Sequence, residues 1–143
     1  MPPLKPVRTS LEVGFRDGTL PERFAAYRGR ETRMIGNMPE FPFEDAQFAV
    51  VLMHGDAVSR KTVKEAHRVL VPAGNLLFVV PEKTKKQGGF SLPDVYSIVR
   101  EGFNITEVER PAWWTFGLKR RTIAICATKK NWRTLTNTFR PYV

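Results

Sequence analysis

The sequence predicts an α/β fold: a mostly parallel sheet with helices packed on it and an antiparallel strand at one edge. Three observations predict it. Short apolar runs at residues 10–13, 48–53 and 76–80 read as strands buried on both faces. Helical stretches at 60–70 and 92–101 follow the second and third of these, and a strand–helix–strand rhythm means parallel strands in one sheet. Residues 105–108 and 122–127 read as two last strands with no helix between them, which fits an antiparallel edge pair.

Taken in order, residues 1–9 form an irregular arm, because Pro2, Pro3 and Pro6 block regular pairing. The first strand stops at Gly14. Residues 20–27 suit a short helix, with Thr19 as N-cap, Pro21 in the first turn and Gly29 past its end. Residues 33–35 suit another short strand, and Phe41-Pro42-Phe43-Glu44-Asp45 a turn. On the 60–70 helix, Val63, Ala66, His67 and Leu70 share one face. Pro72 and Gly74 break the chain before the next strand, and 83–89 is a polar, basic loop. On the 92–101 helix the apolar side is Val95, Tyr96, Ile98 and Val99, and Gly102 ends it. An aromatic loop at 111–118 joins the last two strands, and residues 129–143 form a basic, aromatic tail. No repeat or linker divides the chain, so residues 1–143 are expected to form a single domain.

The 143 residues are 42% hydrophobic and 26% charged, a globular rather than a disordered composition. Twenty-three Lys and Arg against 14 Asp and Glu leave a net charge of +9, which favours anionic partners such as RNA or acidic protein surfaces. The same charge also fits a merely solvated basic surface. One cysteine, Cys126, excludes an internal disulfide and suits a reducing compartment. No stretch has the length of a membrane span, and the start of the chain lacks the apolar core of a secretory signal. A cytoplasmic protein is the expectation.

The segments at residues 42–51, 65–74, 79–81 and 101–103 resemble, in this order, segments of the class I S-adenosylmethionine-dependent methyltransferases, of the type 11-like kind. Pro42-Phe43-Glu44-Asp45-Ala46-Gln47-Phe48-Ala49-Val50-Val51 is similar to the family's PFxDxxFDxV segment, which enters its fourth strand. Glu65-Ala66-His67-Arg68-Val69-Leu70-Val71-Pro72-Ala73-Gly74 is similar to its ExxRVLxPGG turn. Val79-Val80-Pro81 resembles the end of the fifth strand, and Glu101-Gly102-Phe103 the xGF that precedes strand six. The marks come in order from Pro42 to Lys130. They imply a Rossmann-like methyltransferase sheet, here reduced in strand and helix number, and S-adenosylmethionine as the cofactor of an active member. Methyl transfer by direct displacement depends mainly on proximity and alignment, so the acceptor leaves no signature.

The N-terminal part is altered. Residues 11–20 align with a first motif of roughly LDVGCGTGxL, whose glycines let the backbone turn tightly beside the cofactor. Glu12, Gly14 and Gly18 match it, and Arg16 replaces its central glycine. Residues 33–40 resemble a VVGDAExLPF region, with Asn37 in place of an Asp that contacts the adenine. Residues 20–33 are too few for a second strand and helix, so the acid that binds the ribose hydroxyls has no replacement. Ala49 replaces a family Asp and Ala73 a family Gly. The resemblance therefore implies Glu12, Gly14, Gly18, Asn37 and Met38 as cofactor contacts, with weak or absent affinity in the isolated chain.

Other residues admit two readings each. Glu12 is either a cofactor ligand or the partner of a base such as Arg16, and Gly14 either approaches the cofactor or ends a strand. His54 and Asp56 follow the 48–53 strand at the ligand-binding edge of such a sheet, as a base or substrate-orienting pair or as a plain polar turn. His67 reads as a core histidine with a backbone partner. Two His and one Cys give no support to a metal site. Lys83, Lys85, Lys86, Trp113, Trp114, Arg120 and Arg121, with Trp132 in the tail, mix basic and aromatic character. They suit RNA contact, a protein partner, or a homodimer interface.

Overall fold

A computed structural model describes residues 9–15, 31–83, 88–109 and 122–130. The strands are β1 (Thr9–Val13), β2 (Glu31–Ile35), β3 (Phe48–His54), β4 (Leu70–Pro81), β5 (Phe103–Glu109) and β6 (Thr122–Lys129), and the helices are α1 (Arg60–Val69) and α2 (Leu92–Val99). One six-stranded sheet runs in the order β2-β1-β3-β4-β6-β5. β1 is parallel to β2 and β3, and β3 is parallel to β4. β6 runs antiparallel between β4 and β5. The three expected buried strands are therefore adjacent and parallel, with Leu11 beside Val51 and Val51 beside Leu76.

Alternation along these strands divides the apolar residues between two faces. Leu11, Val13, Val51, Met53, Leu76, Phe78, Val80, Ile123 and Ile125 join Val63, Ala66 and Val69 of α1 and Val95 and Val99 of α2 in the main core. Val50, Leu52 and Leu77 form a smaller cluster, against which Phe15, Ala49, Val79 and Cys126 pack.

Each helix begins where its side chains can satisfy the first free N–H groups. Ser59 accepts from the Thr62 N–H while Thr62 Oγ1 accepts from the Ser59 N–H, a reciprocal capping box. Ser91 and Asp94 repeat the device at α2.

Three expectations need correction. Pro72 and Gly74 do not break the chain ahead of a strand, because β4 already starts at Leu70. The register jumps from Phe48–Leu70 to Val50–Asn75, and that irregularity absorbs Pro72 and Ala73, whose φ is +64°. Tyr96 lies outside the core: at 37% exposure it faces away, and Val95 and Val99 fill the buried stripe of α2. α2 itself ends at Val99, two residues early, where Arg100 caps it by donating to the Tyr96 carbonyl. The expected helix at 20–27 lies outside the described residues.

Candidate functional site

The carboxyl ends of β1, β2 and β3 meet at one edge of the sheet, where ligands bind in open α/β folds. Gly14 leaves β1 with φ +79° and donates its N–H to the Ile35 carbonyl at 2.9 Å. A Cβ there would lie 3.1 Å from the Ala57 Cβ and 3.3 Å from the His54 Cβ. Both conformation and space thus demand glycine. Gly55 is as constrained: its Cβ would sit 2.6 Å from the Val79 carbonyl oxygen. Glycine lets the turn after β3 press against β4, and no sequence pattern marks it.

His54 caps the short 3-10 turn Gly55–Ala57. Its Nδ1 accepts from the Asp56 N–H at 3.2 Å and lies 3.5 Å from the Asp56 carboxylate. Phe15 packs edge-on to the same ring, 5.6 Å between centroids. Asn37 donates from Nδ2 to the Asp56 carbonyl at 3.1 Å. Met38 is half-buried and packs against the main core. Glu12 is buried at 1% exposure within β1, opposite Met34 on one side and Leu52 on the other.

These positions test the fit of S-adenosylmethionine. β2 pairs directly with β1, the place a second strand occupies in a Rossmann-like sheet. It is followed by Gly36, Asn37, Met38 and Pro39, so no carboxylate stands at its end, and the next acid, Glu40, is exposed. One Asn37 side-chain N–H is given to the Asp56 carbonyl. Among the described residues the glycine turn is kept, while the acid for the ribose hydroxyls is absent.

The site residues are brought together unevenly. Glu12, Gly14, Asn37, Met38, His54 and Asp56 converge around the β1, β2 and β3 ends. Lys83 is exposed just after β4, with its N–H bonded to the Phe90 carbonyl. Arg16, Gly18, Lys85, Lys86, Trp113, Trp114, Arg120, Arg121 and Trp132 lie outside the described residues. His67 stands apart on α1, edge-on to Phe103 at 5.4 Å, with its Nε2 buried and without a hydrogen-bond partner. Burial first and Lys129 second push its pKa down, against the backbone of Gly102. No three His, Cys, Asp or Glu side chains come together to hold a metal among the described residues. No helix there is long and apolar enough to cross a membrane.

The motif segments that carried the resemblance meet in space, and their work is structural. Arg68 donates to the Phe43 carbonyl at 2.7 Å and the Phe41 carbonyl at 2.9 Å. It also pairs with Asp45 at 2.9 Å and Glu65 at 2.8 Å, and Glu65 accepts from the Phe41 N–H. This clasp ties the turn before β3 to α1.

A sheet of this order with these turns is the Rossmann-like fold of the S-adenosylmethionine-dependent methyltransferases, in reduced form. The N-methyltransferase NodS of Bradyrhizobium japonicum, solved with S-adenosylhomocysteine, superposes with a TM-score of 0.68 at 14% identity, over 87% of this chain and 79% of that one. A Methanosarcina mazei S-adenosylmethionine-dependent methyltransferase gives 0.64 at 14% identity, over 89% and 94%. A chain from the Haloferax volcanii complex between the Trm112 methyltransferase activator and its candidate methyltransferase gives 0.62 at 13%, over 88% and 85%. At such identities the likeness shows the fold. No protein-family model and no curated relative matches the chain.

Proposed function

We propose that this chain is an S-adenosylmethionine-dependent methyltransferase-like protein whose cofactor binding is weak or lost. The observation that carries this reading is the end of β2, which takes the second-strand place beside β1 and presents Gly36 and Asn37 where a carboxylate is required. Losing one hydrogen bond to a charged group costs about 1.5–3 kcal/mol, and the Asn37 amide is engaged elsewhere as well. Calorimetric titration of the isolated chain with S-adenosylmethionine and S-adenosylhomocysteine tests it. Dissociation constants weaker than about 100 µM, above about −5.5 kcal/mol, are expected. Low-micromolar binding of either compound contradicts the reading.

A second reading is a non-catalytic binding or scaffold module that acts with a protein partner or RNA. Its support is β2, an edge strand of the sheet with Met34 46% exposed, since exposed edges invite pairing or a cap. The Haloferax volcanii neighbour, solved with a protein partner, lends it analogy. Light scattering at low and high salt separates the two versions. A salt-resistant dimer supports a protein interface, and a monomer throughout that retains no RNA removes both.

A further inference from the structure

We infer that the cleft between α1, α2 and the end of β6 binds phosphodiester groups of a nucleic-acid backbone. This inference is independent of whether the cofactor site works, because the cleft lies among the helices and not at the β1–β3 ends. It is an open concavity of about 590 Å³ lined by Arg60, Ser97, Arg100, Glu101 and Lys130. Through Glu101 it adjoins a second hollow of about 240 Å³ that includes Lys64, Ile98 and Phe103. Among the described residues the two hollows are thus lined by four cations, Arg60, Lys64, Arg100 and Lys130, and one carboxylate, Glu101.

The cations are held, and three of them are uncompensated. Arg60 donates to Ser97 Oγ at 3.2 Å, and Lys130 Nζ to the Arg100 carbonyl at 2.7 Å. The Lys130 N–H bonds the Gly102 carbonyl at 3.0 Å, which fixes the end of β6 against the turn after α2. Among the described residues no carboxylate comes within ion-pair distance of Arg60, Lys64 or Arg100. Arg68 shows the opposite arrangement on the same helix, because Glu65 and Asp45 neutralise it. Cations gathered around a single carboxylate repel one another, and an added anion between them relieves that repulsion. Two guanidinium forks, an ammonium and a hydroxyl offer more donors than one carboxylate accepts, and they match the several oxygens of a phosphate. The net charge of +9 makes a polyanion the fitting source of that phosphate.

The test measures fluorescence anisotropy of labelled single-stranded RNA and DNA oligomers, with labelled polyglutamate as the third arm, across a salt series. The full chain is compared with Arg60→Gln/Arg100→Gln and with a control of equal charge, Arg33→Gln/Lys61→Gln, whose residues are exposed outside the cleft. Thermal unfolding checks that each variant folds, and the single Arg100→Gln serves if the double variant does not. The cleft variant should bind RNA or DNA at least tenfold more weakly at low salt, and the log–log salt slope should become shallower by about 1.4, or about 0.7 per lost phosphate contact. The control should keep its slope, and the RNA and DNA arms report which backbone the cleft prefers. Equal losses in cleft and control variants, no nucleic-acid binding at low salt, or tighter binding of polyglutamate than of either oligomer would each overturn the proposal.

Discussion

Arg68 donates at once to the carboxylates of Glu65 and Asp45 and to the carbonyls of Phe41 and Phe43. Replacing it by Met would leave the half-buried Glu65 carboxylate and two carbonyls short of partners, so Arg68→Met should cost roughly 2 kcal/mol in urea unfolding. Glu65 adds a pH signature. The hydrogen bond from Arg68 holds its pKa below the ordinary 4.5. The ion pair's stabilisation is therefore complete above pH 4.5 and lost as pH falls through the lower folded value. His67 acts in a separate window. Burial and Lys129 depress its pKa below the ordinary 6.5, so the unfolded chain takes up the proton first. Stability should be full above pH 6.5 and decline as pH falls below it. His67→Met, which keeps the bulk beside Phe103, should flatten that decline in thermal melts between about pH 6.5 and pH 5; a decline of unchanged depth would show that another group titrates there.

Elements were legible where one physical cause dominates. Residues 48–53 and 76–80 are apolar on both faces, so their place in the middle of the sheet followed from composition. The helical stretch expected at 60–70 matches α1 to within one residue, and Gly102 bounded α2 to within two. Arg68 and Phe43 stand in separate motif segments of the sequence, and only the fold shows that they touch. Tyr96 was misplaced because helical spacing alone does not say how wide the buried stripe is. The start of β4 was missed because a bulge can carry a proline that would otherwise end a strand. At the site, the turn at Gly14 that ends β1 could be read from the sequence. The Asn37–Asp56 bond and the His54 cap join residues across turns, and no spacing rule reaches them. Two substitutions test these elements. Ser59→Ala removes the capping oxygen of α1 and should cost about 1 kcal/mol in chemical unfolding. Gly14→Ala puts a Cβ at φ +79° and 3.1 Å from Ala57, so it should cost more than about 1 kcal/mol, where a fully tolerated change would contradict the turn geometry.

At the scale of the molecule, the described sheet and helices have the reduced Rossmann-like fold seen in methyltransferases, and residues 14–30 connect β1 to β2. β2 consequently fills the second-strand place with a sequence that carries no ribose-binding acid. Fold and cofactor grip are separable on this view: core, caps and the Arg68 clasp maintain the first, and none of them needs the second. Gly36 offers a way to test the proposed loss of cofactor binding. A Cβ there meets nothing within 4 Å, so Gly36→Asp places a carboxylate directly after β2 without steric conflict. The most direct measurement is a calorimetric titration of S-adenosylhomocysteine into the chain and into Gly36→Asp, side by side. The account predicts no saturable heat from the unaltered chain below about 100 µM ligand. It predicts binding at least about tenfold tighter in the variant, the lower bound for one restored charged hydrogen bond. Low-micromolar binding by the unaltered chain, equalled by the variant, would contradict it.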